Sequence, residues 1–197
     1  MERVLLARHG ESELSIRGIV NGDPAVQCRL TATGRRQARD LGRALAGENV
    51  GLCVTTDFER CLETARIALP HPATRRLVVE ELGDIRAGRF EGGSLDDYLR
   101  WAHRAPAAEP APGGGESRAD AARRFARGIE LVLARPEPTA LVVCHQLTCA
   151  YVLAGARGEG PPVRIAPVPH ALTHAVTRDE LARAAVTLER WARGPDW

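Results

Sequence analysis

The sequence contains no lysine, a single methionine and few aromatic residues, 4% of 197. Its 27 basic side chains are therefore all arginine, set against 25 acidic ones for a formal net charge of +2. That balance excludes a general nucleic-acid binder and leaves room for a local basic pocket, so the expected partner is a small molecule and no nucleic acid. The abundance of arginine with alanine, glycine and proline reads as compositional bias rather than as many anion contacts. No apolar run approaches the length that crosses a bilayer, and the amino terminus reaches Arg8 and His9 too soon for a secretory signal. No membrane association and a cytoplasmic location are expected. Cys28, Cys53, Cys61, Cys144 and Cys149 are an odd set without a CxxC pair or zinc-finger spacing, which marks reduced, mostly buried thiols. No repeat of solenoid period and no coiled-coil pattern is present, and the oligomeric state is left open. The length fits one domain, residues 1–197, with a sizeable core.

What is present is concentrated first in Val4 to Ser12. Four apolar residues read as a buried strand, and Gly10 permits a turn that leaves Arg8 and His9 at the strand's carboxyl end, where ligands bind in α/β sheets. A histidine beside a fixed guanidinium suits attack on an anionic phosphorus centre, the imidazole as nucleophile and the arginine neutralising phosphoryl oxygens.

Along the chain, Glu11 to Gln27 reads as a loop beside this site. Thr31 caps a helix over Ala32 to Ala46, on which Arg35, Arg39 and Arg43 read as a solvated face. Leu52 to Thr55 reads as a second strand, and Thr56-Asp57 as the cap of a helix from Phe58 to about Leu69. Arg60 lies in its first turn, where a cation is disfavoured unless an anion sits nearby. Leu77 to Val79 is a third strand, followed by Glu80, Glu81 and Asp84. Ser94 to about His103 reads as a helix, and Ala105 to Gly115 as a surface loop or lid, about 104–116. A helix from about Arg118 to Ala134, the strand Ala140 to Cys144, His145, and a helix from Gln146 to about Leu153 follow. Short strands are expected around Val163 to Val168, Ala171 to Val176 and Ala184 to Leu188. Strands alternating with helices predict an α/β fold: three layers, αβα, around a mostly parallel sheet with helices on both faces. His9, Arg60, Asp84 and His145 would then converge on one edge.

These residues resemble the histidine phosphatase superfamily, the phosphoglycerate-mutase-like fold. The resemblance runs in order through Leu6-Ala7-Arg8-His9-Gly10-Glu11-Ser12, Leu30 to Gly34, Thr55 to Ala65, Leu82 to Gly92, Gly115-Glu116-Ser117 and Val143-Cys144-His145, covering about Val4 to Ala154. It implies a phosphatase-type pocket in which His9 is phosphorylated, Arg8, Arg60 and His145 bind the phosphoryl group, and Asp84 protonates the leaving oxygen, with Glu81 as the alternative donor. It implies no cofactor and no metal, since two guanidiniums and a second imidazole supply the charge that Mg²⁺ provides elsewhere. A zinc site on His9 and His145 would set both arginines beside a cation and is rejected. To donate near neutrality, the acid must be kept protonated by burial or by the phosphate dianion.

The chain departs from the family pattern at Asp84, where glutamate is common, at Gln146, where glycine is frequent, and at Ser15, where an asparagine contacts phosphate. Gln146 could contact substrate, and Asn21 could stand in for the missing asparagine. His71, His103, His170 and His174 read as surface or satisfied histidines, and Arg86, Arg89 and Arg100 as surface arginines. The reading is hydrolysis of a small phosphorylated metabolite. A mutase-type phosphoryl transfer and a non-catalytic phosphate-binding or interaction protein are the alternatives.

Overall fold

The computed structural model describes residues 1–197. Strand β1 (Arg3–Arg8) carries Val4 to Ala7 without a polar interruption, and all four are buried, as a strand covered on both faces requires. With β2 (Leu52–Thr55), β3 (Arg75–Val78), β4 (Thr139–Cys144) and β5 (Thr173–Thr177) it forms one sheet in the order β3-β2-β4-β1-β5. β5 alone is antiparallel, paired with β1.

Alternate residues of the central strands face two helical layers. Leu5, Ala7, Leu141 and Val143 pack with Leu41, Phe58 and Ala65, on the side of α2 (Ala32–Ala44) and α3 (Glu59–Ala68). Val4, Leu6 and Val142 pack with Phe125, Ile129, Val152 and Leu188, on the side of α5 (Arg118–Leu133), α6 (Gln146–Ala156) and α7 (Arg178–Arg193). Each large apolar side chain fully buried contributes roughly 1.5–3 kcal/mol. The second cluster holds 35 buried residues against 12 in the first, so the α5–α7 face supplies most of the hydrophobic stabilisation. The expected three-layer αβα arrangement is therefore the observed one. No helix is long and apolar enough to cross a membrane. All five cysteines are free and buried.

The structure differs from the sequence reading in several places. Ala184 to Leu188 is not a strand but the middle of α7. Its buried positions, Leu181, Ala184, Ala185, Leu188, Trp191 and Ala192, follow a helical period, and a capping box of Thr177 and Glu180 starts the helix. A five-residue window hides that period. Val163 to Val168 forms no strand: Pro161, Pro162, Pro167 and Pro169 around it cannot donate to a ladder. The Glu11 to Gln27 loop contains a single short helix, α1 (Glu13–Ile16). Phe58, not Thr56 or Asp57, is the cap residue of α3. Of the arginine stripe on α2, Arg39 and Arg43 face solvent, while Arg35 donates to the buried Glu63 at 2.7 Å. α4 (Leu95–Ala102) is followed by turns over 103–117 without a regular element, anchored by hydrogen bonds from Ala107 N to Trp197 O and from Arg89 N to Pro112 O.

The turn after β1 depends on glycine for closeness rather than for an unusual φ. A Cβ on Gly10 would lie 2.7 Å from the Gly34 carbonyl oxygen, and one on Gly34 would lie 2.0 Å from that of Glu11. The first turn of α2 thus sits directly against the segment that carries His9.

Candidate active site

The sheet register assembles the site. Arg8 pairs with Cys144 at the ends of the adjacent parallel strands β1 and β4, so the next residues, His9 and His145, stand side by side with ring centroids 5.6 Å apart. Both are buried, and His145 is the cap residue of α6. β2 pairs with the other side of β4 and ends at Thr55, which places Thr56 Oγ1 3.0 Å from His145 Nε2.

Arg60, in the first turn of α3 and 4% exposed, joins these groups. Its Nε–H donates to His9 Nε2 at 3.2 Å, and Nη2 donates to Asn21 O at 3.0 Å, to Asp84 Oδ2 at 3.1 Å and to His145 Nδ1 at 3.1 Å. Nη1 donates to Asn21 Oδ1, and the Phe58 ring lies 4.4 Å from the guanidinium carbon. The Asn21 amide nitrogen donates to Asp23 O, so both ends of that side chain are engaged in holding Arg60 and its own turn.

Donor and acceptor identities fix both tautomers. The Gly10 carbonyl, 2.7 Å from His9 Nδ1, can only accept, so Nδ1 carries the proton and Nε2 presents a lone pair. A guanidinium can only donate, so His145 Nδ1 accepts from Arg60 and Nε2–H donates to Thr56. Burial, and then the charge of Arg60, hold both imidazoles well below the ordinary histidine range, against which the Gly10 carbonyl pulls weakly at His9. Both rings are neutral at pH 7, as a nitrogen nucleophile must be.

Arg8 donates from Nη1 to Gln146 Oε1 at 2.6 Å and to Val168 O at 3.0 Å. Its Nε–H is buried without an acceptor, and burial lowers its pKa. A buried guanidinium donor without an acceptor, beside a neutral imidazole, is suited to an anionic acceptor. These groups open into a cavity of about 190 Å³ lined by Arg8, His9, Asn21, Arg60, Asp84 and Gln146, together with apolar residues of α1, α4 and the following loops. Glu81 does not line it; its backbone carbonyl instead accepts from Arg124 Nη1 at 2.9 Å.

A family model for the histidine phosphatase superfamily (branch 1) matches residues 4–193. The chain belongs to that superfamily. As a histidine phosphatase it falls among the phosphoric monoester hydrolases. It is 27% identical over 165 residues to adenosylcobalamin/alpha-ribazole phosphatase of Escherichia coli, covering 77% of each chain. It is 30% identical over 165 residues to human 6-phosphofructo-2-kinase/fructose-2,6-bisphosphatase 4, of which it spans only 32%. The crystal structure of a putative alpha-ribazole-5'-P phosphatase from Escherichia coli superposes with a TM-score of 0.71 at 26% identity, over 82% of this chain and 81% of that one.

In this histidine phosphatase, sequence reasoning missed three supporting residues. His170 is the satisfied histidine of the two expected alternatives, but beside the site: its Nδ1–H donates to the His9 carbonyl at 2.8 Å, its ring centroid is 5.5 Å from that of His9, and its backbone bridges to Arg8. Arg124 on α5 forms a bidentate pair with Glu116, at 2.9 and 2.7 Å, and donates to the carbonyls of Glu81, Gly83 and Asp84. Glu116 of the Gly-Glu-Ser segment thereby holds the clamp that positions the Asp84 loop. Thr64, one turn after Arg60, accepts from Gly10 N at 3.0 Å and ties α3 to the His9 turn. Glu116 precedes Ser117, the cap residue of α5, so helical spacing gave no cue to its pairing with Arg124.

Proposed function

We propose that this enzyme hydrolyses a small phosphomonoester through a phosphohistidine on His9, with Asp84 as proton donor. The observation that carries the reading is the His9 imidazole itself: neutral, with Nδ1–H fixed on the Gly10 carbonyl and the Nε2 lone pair facing Arg60 in the cavity. In the first step Nε2 attacks phosphorus, the P–O bond to the alcohol breaks, and the Asp84 proton passes to the leaving oxygen. In the second, a water oxygen attacks the phosphohistidine, the P–N bond breaks, the Asp84 carboxylate takes the water proton, and inorganic phosphate leaves. Arg8 and Arg60 offset the charge of the phosphoryl oxygens, Arg60 exchanging its hydrogen bond to His9 for one to phosphate, while the neutral His145, which does not line the cavity, acts by accepting from Arg60 at Nδ1. Gln146 orients Arg8 and Asn21 orients Arg60. The small cavity accommodates a metabolite-sized alcohol.

The test is phosphate release from p-nitrophenyl phosphate and a panel of metabolite phosphomonoesters between about pH 5 and 8, with and without EDTA. Alkaline quenching after ³²P-labelled substrate accompanies it. Turnover with an acid-labile, base-stable label that disappears in His9→Ala is the expected result. Turnover that persists in His9→Ala, or folded protein that binds phosphate without releasing it from any ester, would overturn the reading. Phosphoryl return to a second substrate hydroxyl in place of water would mark a mutase.

A further inference from the structure

The cavity holds a second buried cation that the phosphoryl site does not use. Arg118, the first residue of α5, is 6% exposed and lines the same cavity as His9 and Asp84. Arg60 has Asp84 as its carboxylate partner and Arg124 has Glu116, whereas Arg118 has no carboxylate at ion-pair distance. Its Nη1–H donates to Val163 O at 2.8 Å, and its guanidinium carbon sits 5.1 Å from the Trp197 ring centroid. Trp197 is fixed in turn by its own Nε1–H on Pro161 O at 3.0 Å. Its other polar neighbours include the phenols of Tyr98 and Tyr151; burial pushes Tyr98 up to about 12, and the charge of Arg118 opposes the rise at both. A cation at the amino end of a helix also meets the positive end of the helix dipole. Burial, the dipole and the lack of a carboxylate partner all make this charge costly, and an anion beside it would offset that cost.

Apart from these charged groups, much of the cavity wall is apolar. Ile19, Leu95, Leu99, Leu147 and Ile165 line it, and Tyr98 shares the neighbourhoods of both Asp84 and Arg118. A substrate that fills this space presents a phosphate to Arg8 and Arg60, a carbon skeleton to the wall, and a second charge to Arg118. We propose that Arg118 is a specificity-determining residue that binds an anionic group at the other end of an apolar-bodied phosphomonoester. The assignment rests on the phosphatase reading above for the phosphate end only. Carboxylate and phosphate share the required chemistry, because each presents two oxygens that accept the paired N–H groups of a guanidinium.

The test uses aryl phosphates that carry a para substituent as a neutral carboxamide, a carboxylate or a second phosphate, each attached directly or through one or two methylenes. Wild type is expected to favour a charged tail over the amide of equal length by about ten-fold or more in kcat/KM at its best length. The ratio should fall to about one in Arg118→Met, which keeps the stem against Trp197, and recover in part in Arg118→Lys. Which anion wins separates the carboxylate from the phosphate. Calorimetric Kd values for the same ligands separate the two readings: a charged-tail advantage in binding that Arg118→Met removes, without turnover of any ester, leaves Arg118 assigned and the phosphatase reading lost. A wild-type ratio near one at every length, in both kcat/KM and Kd, or a preference that survives Arg118→Met, would overturn the proposal.

Discussion

Arg60 Nε–H donates to His9 Nε2 across 3.2 Å, so the resting imidazole engages its free lone pair with a guanidinium. On the proposed mechanism, phosphate takes Arg60 over before that nitrogen attacks. A lysine at this position keeps one charge and loses the planar fork that reaches His9, Asn21, Asp84 and His145 together. Arg60→Lys is expected to lower kcat/KM on p-nitrophenyl phosphate by about 100-fold or more. Steady-state kinetics that retain about a third of wild-type activity would show that charge alone suffices.

Asp84→Asn removes the proposed proton donor but keeps the shape of the side chain. Alkyl phosphates, whose leaving alkoxide needs a proton, should lose about 10²- to 10⁴-fold in kcat. p-Nitrophenyl phosphate, whose leaving group departs as an anion, should lose far less in the phosphorylation step. Equal losses on both esters under single-turnover conditions would reassign the donor.

The Glu116–Arg124 pair is enclosed, and truncating one partner leaves the other charge without compensation. Arg124→Met is expected to destabilise the fold by about 3–5 kcal/mol. Urea denaturation of Arg124→Met, Glu116→Gln and the double variant checks it: the double variant should lose less than the sum of the single ones. Additive losses would mean that the two side chains act independently.

Acid should destabilise the protein through its buried imidazoles. Burial and Arg60 hold the pKa values of folded His9 and His145 well below the ordinary range, whereas in the unfolded chain each titrates near about 6.5. Above that pH neither state binds the proton. Below it the unfolded state takes up protons that the folded state refuses, so stability is lost progressively as pH falls from about 6.5 toward the folded values. Tm should be level near neutrality and fall on acidification, and the His9→Gln, His145→Gln double variant should fall less over the same interval. Equal slopes would place the acid sensitivity in other groups.

The fold was legible where one short segment carries its own signal. The apolar runs of β1, β2 and β4 stop at polar residues, and each stop marks a strand end at the site. Arg60 could be placed because a cation in the first turn of a helix is anomalous without an anion. What escaped were interactions set by distance in space. His170 lies in a proline-rich stretch with no periodicity, and only the pairing of its neighbourhood with Arg8 brings it to His9. Arg118 and Arg124 sit on a helix rich in arginine, where spacing does not distinguish a buried guanidinium from a solvated one. The error at Ala184 to Leu188 has a different origin: a run of small and β-branched residues has the composition of a strand, and only the neighbours at helical intervals reveal α7.

The pairing of β1 with β4 has a consequence for how the molecule comes into being. Arg8 and Gln146 are 138 positions apart, yet they touch, because β1 takes its place beside β4. Closing so long a loop costs entropy before any contact is gained, and topologies dominated by such pairings fold slowly. Until β4 is in place, β1 is an apolar segment with an unpaired edge, and in that interval it is exposed to association with other chains. On the proposed function, phosphate affinity requires β4 beside β1, and its appearance during refolding times that pairing.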